Sequence, residues 1–193
     1  MSAPGRRQTG DELSPSWWQQ DPDRWDLLRF DGFRQEAGYT VDRWWKDRER
    51  VLEAFIREAI RADHDFALFL LDQEVQRHEN SWGFSHSIEI AALLVAEHRH
   101  VDDVWPLWEA ICRSFDTWCG IPHRLLFAGG VTRTLEHVGN SSGPQRNQLL
   151  ERLQEHVPLT DEDVTALLAE RRQYYVDILD DRHPGPDAET TDA

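Results

Sequence analysis

The segment Asp103-Val104-Trp105-Pro106-Leu107-Trp108-Glu109-Ala110-Ile111-Cys112-Arg113-Ser114-Phe115-Asp116-Thr117-Trp118 places apolar side chains at Val104, Trp108, Ile111, Phe115 and Trp118. Steps of four, three, four and three lay one stripe along a helix of 3.6 residues per turn. Trp105, Cys112 and Cys119 widen that stripe. Asp103 stands where an N-cap belongs, and Pro106 falls in the first turn, where a missing N–H costs little. Gly120 and Pro122 follow as stop signals. The spacing predicts one helix from about Asp103 to Trp118.

The flanking sequence repeats this punctuation. Thr40 precedes an amphipathic run through Trp44, Val51, Phe55, Ala59 and Ala62, and Asp65 can cap Phe66 to Glu79. Ser85 or Ser87 opens Ile88 to His98, and a helix from about His123 stops at Gly139-Asn140. Another helix begins near Gly143-Pro144 and ends before Pro158. Thr160 with Asp163 resembles a capping box ahead of Val164, Leu167, Leu168, Tyr174 and Ile178. Period-2 alternation is scarce, so no strand is predicted.

These starts recur at a fixed interval. Asp65, Asp103 and Ser142 are spaced by 38 and 39 residues, and His86, His123 and Thr160 by 37 and 37. A helix–turn–helix unit therefore repeats about three times, and an earlier pair, Asp23 to Ala37 and Thr40 to Ala62, makes about four. In unit length and helix order, residues 23–180 resemble the HEAT-like and tetratricopeptide-like α-helical repeat proteins, although the tetratricopeptide signature residues are not at their spacing. The resemblance implies an all-α chain of stacked antiparallel helical hairpins, α-solenoid-like. A compact helical bundle leaves nearly the same trace and stays open as the alternative. One all-helical domain is expected over residues 21–181, with flexible tails at 1–20 and 182–193.

The formal charge is −15, and residues 151–193 alone contribute −8. Such a field repels phosphate backbones and anionic lipid heads and favours basic partners. Nucleic acid and membrane surfaces are therefore not expected as partners. No apolar run approaches the length of a membrane span, no signal peptide is visible, and Cys112 and Cys119 are seven residues apart in one predicted helix, beyond disulfide reach. The expected location is the cytoplasm. Of the 21 basic residues 20 are Arg, which reads as composition bias.

No complete set of catalytic residues is found. The nine His include no His-Glu-x-x-His pattern, and His98, His137 and His156 fall in last turns, where an imidazolium complements the helix dipole. No metal and no cofactor are expected. Asp102-Asp103 resembles the start of the aspartate-rich motif of terpene-type synthases, but the third Asp is missing. The two Cys are expected to be buried as small hydrophobes. Gly129-Gly130 inside a helix costs about 1 kcal/mol per Gly relative to Ala, so either the close approach of a neighbouring helix or a kink that shapes a groove is expected there.

Aromatic doublets are the other signal. Adjacent residues on a helix point about 100° apart, so in Trp17-Trp18 and Trp44-Trp45 one ring of each either covers a neighbouring element or lies exposed as an anchor for a partner, and Trp82 and Phe84 occupy a Gly-containing loop. These six are the expected binding residues of a non-enzymatic protein-interaction module. Its partner is expected to be a basic protein or peptide, as in an immunity or antitoxin protein. The alternative is a small helical enzyme whose pocket lies between hairpins and uses His86, Glu89 and His123, since His86 and His123 open equivalent helices.

Overall fold

The computed structural model describes residues 14–35 and 40–182. The elements in chain order are α1 (Pro15–Gln19), a 3-10 segment Pro22–Leu28, β1 (Phe33–Arg34), β2 (Thr40–Val41), α2 (Trp45–Arg57), α3 (His64–Glu79) and α4 (His86–Ala96). There follow a 3-10 turn Val101–Asp103, α5 (Val104–Cys112), α6 (Phe115–Gly120), a 3-10 turn His123–Phe127, α7 (Val131–Asn140), α8 (Arg146–Gln154) and α9 (Asp161–Arg182). Among the described residues the chain is all-α apart from one short antiparallel pair, with Phe33 opposite Val41 and Arg34 opposite Thr40.

Helix α4 organises the packing. Every residue from Ser87 to Ala96 is buried, and a helix that is apolar all round has to be surrounded. Helices α2, α3, α5 and α9 and the 3-10 turn 123–127 surround it. One apolar core results, running from Trp18 and Leu28 to Tyr175 and Leu179.

Helix α9 packs on α2 as well as on α4, and α8 packs on α7. In an open solenoid each unit meets only its neighbours. Contact between the last helix and the first long one makes the packing compact, as in the bundle alternative. Among the described residues no helix is long and apolar enough to cross a membrane.

Four helix expectations need correction, the first being the helix from Asp23, which is the 3-10 segment Pro22–Leu28 followed by strand β1. The stripe from Asp103 to Trp118 is two helices, because Ser114 starts a new one. Ser114 Oγ accepts from Thr117 N at 3.1 Å, while Thr117 Oγ1 accepts from Ser114 N at 2.9 Å. This capping box turns Phe115 outward, to 80% exposure, and leaves Cys112 and Cys119 exposed rather than buried. The helix from His123 is interrupted at Gly129-Gly130. Gly130 has φ +104°, a conformation open to glycine and strained for other residues, and a Cβ on Gly129 would stand 2.7 Å from Val101 Cα. The close neighbour is thus a 3-10 turn rather than another helix. The run from Thr40 forms a helix only from Trp45, and Ala59 at φ +50° follows its end.

The expected N-terminal tail ends too late. Residues 15–19 form α1, and Trp18 is only 1% exposed because it belongs to the core. Residues 1–13 and 183–193, which make up the rest of the expected tails, lie outside the described residues.

The glycines of α7 and its approach should respond with opposite signs. Gly129→Ala should destabilise the fold by about 1–3 kcal/mol, since the clash is with backbone. Gly139, on α7 with nothing within 4 Å of an added Cβ, should gain about 0.5–1 kcal/mol as Ala. Urea midpoints of the two variants check both signs.

Candidate functional site

A cleft of about 330 Å³ opens between α2, the 84–87 segment, α4 and α9, with Trp45, Glu49, Arg77, Phe84, His86 and Tyr175 on its walls. Behind the Tyr175 wall lies Glu89, the one carboxylate of α4. Arg171 and Tyr175 stand four apart on α9 and so share a face. Both reach Glu89: the guanidinium pairs with one oxygen and the phenol donates to the other. Burial, with the Glu89 charge beside it, pushes the Tyr175 phenol far above its ordinary range, so it remains a neutral donor. His86 is exposed, and its Nδ1 is 3.3 Å from the phenol oxygen. With the phenol proton committed to Glu89, the imidazole is the donor in that contact.

A second polar group backs the cleft. Arg48, fully buried, donates from Nε to Glu74 at 2.9 Å, from Nη1 to the Leu28 carbonyl at 3.0 Å, and from Nη2 to Asp42. The other Glu74 oxygen accepts from Ser87 Oγ at 2.5 Å and from Arg77 Nη1 at 3.1 Å. Two guanidinium groups thus face two carboxylates. Arg77 also lies 4.7 Å over the Trp45 ring at the cleft edge. His78 completes the group as a neutral imidazole, with Nε2 accepting from Ser85 N at 3.2 Å and Nδ1 donating to the Glu74 carbonyl at 2.8 Å.

The residues singled out by sequence are dispersed. Trp17 is half-buried under Arg24, whose guanidinium is 4.3 Å from the ring, and Trp18 is in the core. Trp44 is half-buried, and Trp45 lines the cleft. Phe84 packs over Gly120, where a Cβ would come within 2.3 Å of its ring, so it is a wall rather than an anchor. His86 and Glu89 are brought together through Tyr175, but His123 does not join them. Its Nε2 donates to the Trp118 carbonyl at 2.8 Å and its Nδ1 accepts from Arg152 Nε at 2.7 Å.

Trp82 alone of the six proposed aromatics is fully displayed, at 99% exposure. The Gly83 N–H donates to the Asp116 carboxylate at 3.0 Å, which brings the loop carrying Trp82 to the start of α6 and to exposed Phe115. Sequence reasoning missed Phe115, although Ser114 and Thr117, spaced as a capping box, signalled a new helix. Glu79 and Glu109 lie on this side, both paired with Arg113 and both more than half exposed. No family model, curated protein or solved structure matches this chain.

Two measurements follow from this chemistry. Arg48→Ala strands buried carboxylates and should cost about 3–5 kcal/mol of stability, read as a lowered urea midpoint. Acid should also weaken the fold through histidine. Burial holds His78, His98, His123 and His156 below the ordinary 6.5. A depressed folded value means that the unfolded chain takes up the protons first. The stability these groups contribute is therefore complete above the unfolded value of about 6.5 and is lost as pH falls below it. Urea midpoints measured from about pH 8 to about pH 5 should decline from near 6.5 downward, and His78→Gln should flatten the decline.

Proposed function

We propose that this chain is a non-enzymatic interaction module that docks a basic protein partner in the cytoplasm through the aromatic edge formed by Trp82 and Phe115. The observation that carries the reading is the exposure of these two rings, at 99% and 80%, on stretches joined by the Gly83–Asp116 hydrogen bond. Large aromatic side chains bring a high energetic return when a partner covers them, and Trp is enriched among interface hot spots.

Charge favours a cationic partner. The whole chain carries −15, and around the two rings Glu79, Glu109 and Asp116 outnumber Arg113. A negative field of this kind speeds capture of a basic protein and is screened by salt. A cationic toxin neutralised by an immunity-type protein is one partner of that chemistry. Within the cleft Glu89, Tyr175 and Arg171 are bound to one another, so a catalytic reading would rest on the remaining wall residues His86 and Glu49.

Affinity capture from cytosol at low salt, followed by titration of the purified partner, tests the reading. The wild-type chain should retain a saturable basic protein, and the Trp82→Ala/Phe115→Ala variant should lose it with a drop of at least about 2 kcal/mol in binding energy, the level of a hot spot. Both residues are exposed, so the variant should keep the wild-type urea midpoint. Equal retention by both chains, or a partner whose affinity is indifferent to salt, would sink the proposal.

A further inference from the structure

At the other end of α3 from the cleft network, its N-terminus, three residues from separate places in the sequence meet. His64 is the first residue of α3, His100 precedes the 3-10 turn 101–103, and Asp103 closes that turn. One donor atom from each lies within 4.8 Å of the others. His64 Nε2 is 2.8 and 3.0 Å from the two Asp103 oxygens, and the His64 and His100 rings are 4.2 Å apart. A third imidazole, His98, packs 4.9 Å from His64, and its buried Nε2 has no hydrogen-bond partner.

Two features of the chain are expended on this arrangement. Asp103 stands at the start of α5 but makes no side-chain cap there; its buried carboxylate turns to His64 instead. Arg99, between His98 and His100, adopts φ +58°, a left-handed conformation that costs a non-glycine residue and tends to persist where function requires it. The reversal it produces puts His98 and His100 beside the same neighbour, His64.

We propose that His64, His100 and Asp103 form a binding site for a divalent transition metal ion, of which zinc is the representative. Two imidazoles and one carboxylate are the nitrogen and oxygen donors that zinc accepts, at about 2.0–2.2 Å from the ion. Tetrahedral bonds of that length set donors about 3.3 Å apart, which the His64–Asp103 pair already approaches. The exposed His100 ring supplies the remaining closure by a small swing. Three protein ligands leave a fourth position for water or for the open Nε2 of His98. The carboxylates of Asp63, Asp65 and Asp102, adjacent to the ligands in the chain, exceed the positive charge of Arg61 and Arg99 and favour a cation.

The chain stripped with a chelator and then dialysed against zinc sulfate should take up one zinc per chain by elemental analysis. His64→Ala, His100→Ala and Asp103→Asn should each weaken uptake by at least about tenfold. His137→Ala should not, although His137 stands 3.4 Å from Asp102, because that pair offers only two donors. His100 is exposed, so His100→Ala tests the site in a folded chain. Cobalt(II) in place of zinc should give ligand-field bands of four-coordinate intensity in the wild type and lose them in that variant. Absence of saturable zinc uptake at millimolar concentration, or uptake unchanged by His100→Ala, overturns the proposal.

Discussion

The structure depends on neutralising carboxylates that the central helices carry into the interior. Glu74 on α3 and Glu89 and Glu97 on or just after α4 are each met by an arginine from a flanking helix. Arg48 of α2 reaches Glu74, Arg171 of α9 reaches Glu89, and Arg172 of α9 grips Glu97 through two bonds of 2.6 and 2.8 Å. Arg172 also donates to the Phe55 and Ile56 carbonyls near the end of α2, at 3.2 and 3.4 Å. A guanidinium presents several donors in a fixed plane, so it can pair with a carboxylate and a carbonyl together, which a lysine ammonium does less well. Replacing such pairs wholesale by apolar groups is often neutral, whereas removing one partner is costly. Their contribution is therefore to geometry: they fix where α9 closes on α2 and α4, and with it the compact packing.

The same neutralisation limits what Glu89 can do. A general base needs an unengaged lone pair near neutral pH, and the Glu89 oxygens are held by Arg171 and Tyr175. The wall is polar because the core needed its charges satisfied. Trp82 and Phe115 have the opposite character, since the folded chain gains nothing from displaying large apolar rings to water.

The all-α class was legible because helix periodicity and stop signals are local. The openings near His86, His123 and Thr160 correspond to real elements at His86, His123 and Asp161. The stacked order was not legible, because whether α9 returns to α2 depends on contacts more than 100 residues apart, such as Arg172 with the Phe55 carbonyl. Arg48 shows the difficulty within one helix. It lies three and four residues before Val51 and Leu52, on the buried stripe, yet among 20 arginines it looked like composition. Phe115 fitted a three-four spacing so well that the stripe concealed the cap at Ser114.

The histidine cluster was hidden for the same reason, and Gly129 shows how the fold holds it. Only the interval from His100 to Asp103 is local; His64 is 36 residues upstream of His100 and joins them because α3 and α5 pack together. Between His100 and Asp103 lies Val101, whose Cα comes so close to Gly129 that no side chain fits between. The turn bearing two of the three ligands is thus pressed onto the core, and the glycine that looked like a helix defect is the space the turn requires. Rigidity of this kind is what separates a set of donors from a chance meeting of surface side chains. Here it comes from backbone packing, so substitutions at His100 can change the cluster without changing the turn that presents it.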